Sequence, residues 1–385
     1  MSSELQVFDE DFIRLWGMFI VVAFLGVVAA SRTRRLPKPF LGVNAVPLPQ
    51  FSSWNALWRN GTDRDLIAIL GLDRESFVLL KELIDEHLPA PPVSKRGRAV
   101  KLDRFAKLGL FLHFLNSTMG MKNLQQIFGC SAWMVSVVIK DYLHLVKRAL
   151  LNHADARVRW PDAEQRRHLA ELVSRREPTI NNIIGFVDGL HLFVQCNDDT
   201  TEQSQFYNGW IGDTCINNIF VFSATGMIIF AALNFPGCVH DAYAAVQLYN
   251  LLESIDDEYA IVADVAFPTR KAMEGKIVCG SKQGAIPAAR DEAIEHILKH
   301  VVMVSLRQAA EWGMRCLQGT FGRLRLRLPH DNKRRLLMME CVVLLHNFRT
   351  SRLGINQIRT VFDPHYESLR ADLHYDRLAR YYNIN

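Results

Sequence analysis

Apolar and polar positions change their spacing near residue 180, and this change predicts two structural regions. From Asp63 to His87, and again from Leu102 to about Leu151, apolar residues recur every three or four positions, as in amphipathic helices. From about Ile180 the pattern becomes short runs rich in β-branched and aromatic residues, which is typical of strands. A helical region therefore precedes a region that contains a sheet.

The second region predicts a mixed sheet. IIGFVDGLHLFVQ, INNIFVFS and MIIFAALNF predict three antiparallel strands, and ATG joins the last two as a hairpin. HDAYAAVQLYNLLES predicts a helix with Tyr243, Val246 and Leu251 inward, YAIVADVAF predicts a short buried parallel strand, and helices follow from about Asp291. This order predicts the α/β class with a ribonuclease H-like mixed sheet, preceded by a helical, helix-turn-helix-like domain.

Composition and the positions of turn-forming residues divide the chain into five parts. These are a hydrophobic N-terminal segment (1–35), a proline-rich linker (36–62), a helix-turn-helix-like DNA-binding domain (63–160), the sheet domain (161–350) and a C-terminal extension (351–385).

The uncharged run at residues 15–30 raises the question of a membrane anchor. Its 16 residues fall short of the roughly 20 that a bilayer span requires. Acidic residues precede it and Arg32, Arg34 and Arg35 follow it, so a span would leave the rest of the chain in the cytosol. The alternatives are a buried helix or an appended segment; a cleaved signal peptide has its positive charges on the other side.

The segment NLQQIFGCSAWMVSVVIKDYLHLV resembles a helix-turn-helix in layout. Gly129 is placed to end a short helix and Ser131 to cap the next one. Such a layout can put the second helix in a DNA major groove, with Ser131 and Trp133 as candidate contacts. A plain helical hairpin is the alternative, because AWMVSVV offers few groups that read bases.

Charge and cysteine usage add little to this picture. The net charge is only +5, from 45 basic and 40 acidic residues, which gives weak support for a nucleic-acid partner. The basic residues are clustered, and the cluster from Arg323 to Arg335 makes Arg323 and Arg325 candidate phosphate contacts; solvated faces are the alternative. The seven cysteines stand singly without a CxxC pair, which disfavours zinc and indicates reduced thiols in an intracellular protein.

Three aspartates carry the candidate chemistry. Asp188 lies within the first predicted strand, Asp264 ends the fourth, and Asp241 opens the helix between them. Because the first and fourth strands are neighbours in this strand order, Asp188 and Asp264 are expected side by side. Adjacent carboxylates repel unless a cation lies between them, and oxygen ligands favour Mg²⁺ or Mn²⁺. Two such ions about 4 Å apart promote phosphodiester displacement.

The alternative is that these aspartates only cap turns, most plausibly for Asp241 at a helix start. His191 and His240 lie next to the acids in the chain and are candidates for supporting them rather than for catalysis.

Five motifs carry a resemblance to a known family. FVDGLH, FPGCVHD, VADVAFP, FGRLR and LLHNF, between about residues 183 and 348, resemble the DDE superfamily endonucleases of the Harbinger (PIF/Harbinger) transposase group. The resemblance implies a ribonuclease H-like core, metal-dependent cleavage and strand transfer of DNA, a nuclear location, a homo-oligomer and a Myb-like protein partner. It also implies that Asp188 and Asp264 are the first two catalytic acids and that Asp241 lies near the metal.

The third acid departs from the family pattern. Gln318 stands where the family has glutamate, three residues before FG, and a glutamine brings no charge to a metal. Glu311 is the candidate substitute; it is seven positions earlier, on nearly the same helix face but ~10 Å along the axis. The alternative is that Glu311 pairs with Arg307 or Arg315. A domesticated DNA-binding or scaffold protein without catalysis is therefore the second hypothesis.

Overall fold

The computed structural model describes residues 41–89, 102–196, 200–254, 258–267, 273–280 and 290–363. The predicted hydrophobic segment at 15–30 and most of the predicted extension at 351–385 lie outside these residues. Within them, no helix combines the length and the apolar character that crossing a bilayer requires.

The N-terminal region is helical, as its spacing predicts. Its helices are α1 (Ser53–Asn60), α2 (Asp63–Leu70), α3 (Arg74–Asp85), α4 (Arg104–Asn116), α5 (Met121–Phe128) and α6 (Ala132–Leu150). Short polar side chains start most of them: Thr62 forms a capping box with Asp65, and Asp73 and Asp103 cap α3 and α4.

Helix α1 lies inside the stretch that the sequence predicts to be a linker. Trp54 of this helix is buried and stacks on Trp58 and Phe128, with ring centroids 5.8 and 5.4 Å apart. Gly109 of α4 permits this packing, because a Cβ there would lie 2.3 Å from the Trp54 ring. The helical region therefore begins at least ten residues before Asp63.

Helices α5 and α6 form the predicted helix–turn–helix. Helix α5 ends at Phe128, and Gly129 follows in the left-handed conformation with φ 64°. Ser131 Oγ accepts a hydrogen bond from the Met134 amide at 3.3 Å and so caps α6. Both end signals therefore act as predicted.

The described strands form a mixed sheet of six strands in the order β2-β3-β1-β5-β6, with β4 paired to β3. They are β1 (Ile183–Phe193), β2 (Tyr207–Asn208), β3 (Asp213–Phe222), β4 (Ile228–Pro236), β5 (Ala260–Ala263) and β6 (Ile277–Cys279). β1, β3 and β4 are antiparallel, and β5 is parallel to β1. This confirms the predicted mixed α/β sheet; β2 and β6 are additions that the pattern does not indicate.

Helices surround the sheet and follow it in the chain. They are α7 (Ala163–Arg176), α8 (Thr200–Phe206), α9 (Asp241–Ala244), α10 (Val246–Glu253), α11 (Arg290–Thr320), α12 (Asn332–Leu353) and α13 (Gln357–Phe362).

The prediction of the inward face after Asp241 is wrong for two of its three residues. Tyr243 and Val246 are exposed, whereas Leu251 is half-buried against the core. The buried residues of this stretch are Ala244, Ala245, Leu248, Tyr249 and Leu252. The predicted single helix is two helices, α9 and α10, with Ala245 between them at φ −88° and ψ 4°. The break rotates α10 relative to α9, so that spacing counted from residue 241 no longer identifies the buried side.

Helix α12 joins the helical region to the sheet. It packs against α6 on one side and β4 on the other. The Asn347 side chain accepts from the Ile228 amide at 2.8 Å and donates to the Ile228 carbonyl at 2.9 Å. The neighbouring His346 Nε2 lies 3.1 Å from the Gly226 carbonyl, and burial lowers the His346 pKa to about 4. LLHNF thus fixes the β3–β4 hairpin on the helical region.

Candidate active site

Asp188 and Asp264 lie level with each other on neighbouring parallel strands. Phe186 of β1 pairs in register with Val262 of β5. Asp188 follows Phe186 by two residues and Asp264 follows Val262 by two, so this register, continued one residue past the end of β5, places Asp188 beside Asp264. Partners in a parallel register share one face of the sheet, so both carboxylates project from the same side. The predicted adjacency of these two strands is confirmed.

The surroundings of the Asp188 carboxylate raise its pKa. Its Oδ1 accepts a hydrogen bond from the Gly189 amide at 2.8 Å. Burial, together with the negative charges of Asp264 and Asp241, raises the Asp188 pKa to about 6; the Gly189 amide and the Arg307 guanidinium oppose this shift. Ionising Asp188 therefore costs more in the folded protein than in the unfolded chain, and a further cation would offset this cost.

Helix α11 brings charged side chains to the same place. Arg307 Nη1 lies 3.1 Å from Asp264 Oδ1, and Arg307 Nη2 lies 3.5 Å from Glu311 Oε1. Arg315 Nη2 lies 3.6 Å from the other Glu311 oxygen, Oε2. The helical turn from Arg307 to Glu311 therefore faces the end of β5, and Glu311 forms both ion pairs named in the alternative prediction.

Gln318 lies elsewhere along α11. It follows Glu311 by seven residues, which is ~10 Å along a helix axis. Its backbone carbonyl accepts from Arg325 Nε at 2.9 Å, so this part of the helix meets the 3₁₀ turn Gly322–Arg325. The position expected for the family's third acid thus lies about two helical turns from Glu311, which is the acid of α11 that Arg307 links to Asp264.

Asp241 approaches β1 from the other side. A Cβ on Gly189 would lie 3.1 Å from both Asp241 carboxylate oxygens, so a larger residue there would force this carboxylate to shift. Successive side chains of a strand alternate between faces, and the face of Gly189 is therefore opposite to that of Asp188. Asn217 Nδ2 donates to Asp241 Oδ1 at 2.6 Å and holds this carboxylate over the strand.

Asn217 and Arg307 are residues that the sequence-based prediction of the site missed. Asn217 is buried in β3, opposite His191 in the register, and its Oδ1 has no hydrogen-bond partner among the described groups. A polar pair inside the apolar run INNIF was a signal for it. Arg307 was considered only as a surface partner of Glu311, because no spacing rule relates it to Asp264.

The remaining predicted residues take varied positions. His191 is half-buried, and His240 is exposed at the start of α9, where its side chain does not cap the helix.

The Ser131 hydroxyl caps α6, and Trp133 is 69% exposed on the first turn of that helix. The Arg323 guanidinium lies 4.3 Å from the Phe114 ring centroid and donates to the Met119 carbonyl at 3.3 Å.

The donor chemistry fits a hard divalent cation at Asp188 and Asp264. Both are carboxylates, they lie level on one face, and one of them has a pKa raised partly by the charge of the other. Across the described ranges, no group of three or more His, Cys, Asp or Glu side chains is arranged to hold a metal ion. Arg307 bridges the Asp264 and Glu311 carboxylates instead.

Comparison with known proteins agrees with this geometry. Residues 187–347 match the family described as DDE superfamily endonuclease. The matched stretch runs from β1 to α12 and includes Asp188, Asp241, Asp264 and Glu311. Neither the curated proteins nor the solved structures include a match to the chain. Over these residues the chain is similar to DDE superfamily endonucleases, and its mixed α/β sheet is consistent with a ribonuclease H-like fold.

Proposed function

We propose that the protein is a transposase-like, metal-dependent DNA endonuclease whose reaction takes place at Asp188 and Asp264. The observation that supports this most directly is the level placement of these two carboxylates on adjacent parallel strands, within the stretch that matches the DDE superfamily endonucleases. A half-buried aspartate with its pKa raised to about 6 has no evident structural use at this position.

Each acid of the site has a role that follows from its position. Asp188 and Asp264 would hold a magnesium or manganese ion, with Glu311 of α11 as the third acid. Asp241, held by Asn217, adds negative charge from the opposite face of β1. When bound, divalent cations activate the attacking water or 3′-hydroxyl and stabilise the departing oxygen of the phosphodiester.

A second candidate is a non-catalytic DNA-binding or scaffold protein that keeps the transposase fold. Two observations favour it: Gln318 replaces the family's glutamate, and Arg307 already neutralises Asp264 and Glu311. In that case the acids stabilise the fold as an ion-pair network.

The resemblance of the five motifs leads us to propose further that the protein is of the Harbinger group, acts in the nucleus as a homo-oligomer, and works with a Myb-like partner. Trp133 and the outer face of α6 are the proposed DNA contacts of the helical region. The alternative, a membrane anchor at residues 15–30, is tested by following the location of a fluorescent fusion with and without residues 1–35.

Nicking of supercoiled plasmid in Mn²⁺ and in Mg²⁺ tests the proposed nuclease. Asp188→Asn and Asp264→Asn are expected to lower the rate by more than about 100-fold, and Glu311→Gln by at least about tenfold. Gln318→Glu is expected to leave the rate unchanged, because its helical turn does not face Asp264. Glu171→Gln, on the exposed side of α7 and away from both the acids and α6, is the matched control.

The outcome separates the two candidates. If the unmodified protein binds DNA but never nicks it in either metal, the scaffold function holds instead. Recovery of nicking in Gln318→Glu alone would show that the family's usual position, and not Glu311, supplies the third acid.

A further inference from the structure

Arg307 occupies the centre of the acidic site. Its two terminal nitrogens contact different carboxylates, Nη1 that of Asp264 at 3.1 Å and Nη2 that of Glu311 at 3.5 Å. Its charge also reaches Asp188, where it opposes the rise in pKa. One guanidinium therefore touches two of the three acids assigned to the metal and acts electrostatically on the third.

Arg307 contacts carboxylate oxygens that a divalent cation would need as ligands. A cation between Asp188 and Asp264 requires carboxylate oxygens free to point at it. Asp264 Oδ1 instead accepts from Arg307 and from the Val265 amide at 2.6 Å. A guanidinium stays protonated at all ordinary pH values, so Arg307 can leave only by moving its side chain.

We propose that Arg307 is a positioning residue of the site: it holds Asp264 and Glu311 together in the metal-free protein, and a divalent cation has to displace it from Asp264. This inference rests on the proposed function, since it assumes that Asp188 and Asp264 bind the cation. Arg307 thereby sets the threshold concentration of metal at which the site becomes complete.

The solvent exposure of the Arg307 ion pairs makes the displacement feasible. The side chains of Arg307, Asp264 and Glu311 are 42%, 35% and 39% exposed. Ion pairs with this much solvent contact are weak, and a long arginine side chain regains rotational freedom on release. Arg315 contacts the other oxygen of Glu311, so Glu311 remains beside the site after Arg307 has moved.

Binding of Mn²⁺ alone, measured by calorimetry on the full chain, tests this role without any assay of activity. Arg307→Gln is expected to bind Mn²⁺ about three- to tenfold more tightly than the unmodified protein. The matched control is Arg315→Gln, which removes the same charge from the same helix but contacts Glu311 only. It is expected to change the affinity by less than about twofold.

The results separate this inference from the proposed function. Equal effects of Arg307→Gln and Arg315→Gln, or weaker binding by Arg307→Gln, overturn the displacement. If Asp188→Asn and Asp264→Asn abolish Mn²⁺ binding in the same experiment, the metal site itself still stands. If the unmodified protein and Arg307→Gln both bind no Mn²⁺, the displacement and the metal site are both refuted. Melting temperatures of the variants show whether each one is folded.

Discussion

At the scale of single residues, Asp188 shows how a half-buried carboxylate costs stability. Its pKa is about 6 in the folded protein against 3.8 for an ordinary aspartate, so the folded state holds the proton more strongly than the unfolded state. The free energy of unfolding therefore falls as pH rises from about 4 to 6. Above that interval the cost is constant, on the order of 2–3 kcal/mol.

Asp188→Asn is expected to stabilise the metal-free protein at pH 8, because the amide removes the buried charge and its oxygen still accepts from the Gly189 amide. The gain should approach about 2 kcal/mol at pH 8 and vanish below about pH 3, where the aspartate is protonated in both states. Urea unfolding at the two pH values measures it. Equal stability of both proteins at pH 8 would contradict the raised pKa.

Divalent metal should reverse this order of stability. A cation that binds the folded protein stabilises it in proportion to its affinity, and only the protein with Asp188 retains both ligands. Mn²⁺ is therefore expected to raise the melting temperature of the unmodified protein and to leave that of Asp188→Asn unchanged.

At the scale of elements, the register of α11 against the sheet decides which side chains meet. Gly313 lies in this helix where it crosses β3, and a Cβ there would come 2.7 Å from the ring of the fully buried Phe222. Six residues later, Gly319 has open space around its Cβ position. Close packing on Phe222 therefore explains glycine at position 313, whereas packing does not explain glycine at position 319.

Gly313→Ala is expected to destabilise the protein by about 1–2 kcal/mol, since overpacking outweighs the better helix propensity of alanine. Gly319→Ala, the matched control, is expected to be neutral or to stabilise by up to about 1 kcal/mol. Denaturant unfolding measures both. Equal effects of the two substitutions would mean that α11 does not pack closely on Phe222.

At the scale of the whole molecule, the helical region and the sheet share one apolar core. The buried apolar residues between Trp54 and Phe362 form one connected cluster, and α12 packs against both the helical region and the sheet. The ion pairs Lys147–Glu340 and Arg352–Glu75 cross the same junction. A boundary near residue 160 separates two patterns in the chain, but each part buries its apolar surface on the other.

Fragments 41–160 and 161–363 are therefore not expected to fold alone, whereas the chain from 41 to 363 should unfold in a single transition. Separation exposes the apolar surface that α6 and α12 bury on each other. Circular dichroism during thermal unfolding tests this. A cooperative transition in the isolated 41–160 fragment would show that the helical region is an independent domain.

The sequence alone determined the features that depend on neighbours in the chain. The change of spacing near residue 180 located the sheet, Gly129 and Ser131 located the turn between α5 and α6, and the strand order placed Asp188 beside Asp264. Each depends on local backbone preferences, or on the few topologies that such an order of strands permits.

Only the tertiary structure decided which distant groups meet. Arg307 between Asp264 and Glu311, Asn217 under Asp241, and Gly189 as the space for that carboxylate all result from how α11 and α9 lie on the sheet. The burial of Trp54 and the break at Ala245 likewise depend on packing partners far along the chain. Periodicity predicts that a residue is buried or exposed, but the identity of its neighbour is set by the close packing of the whole core.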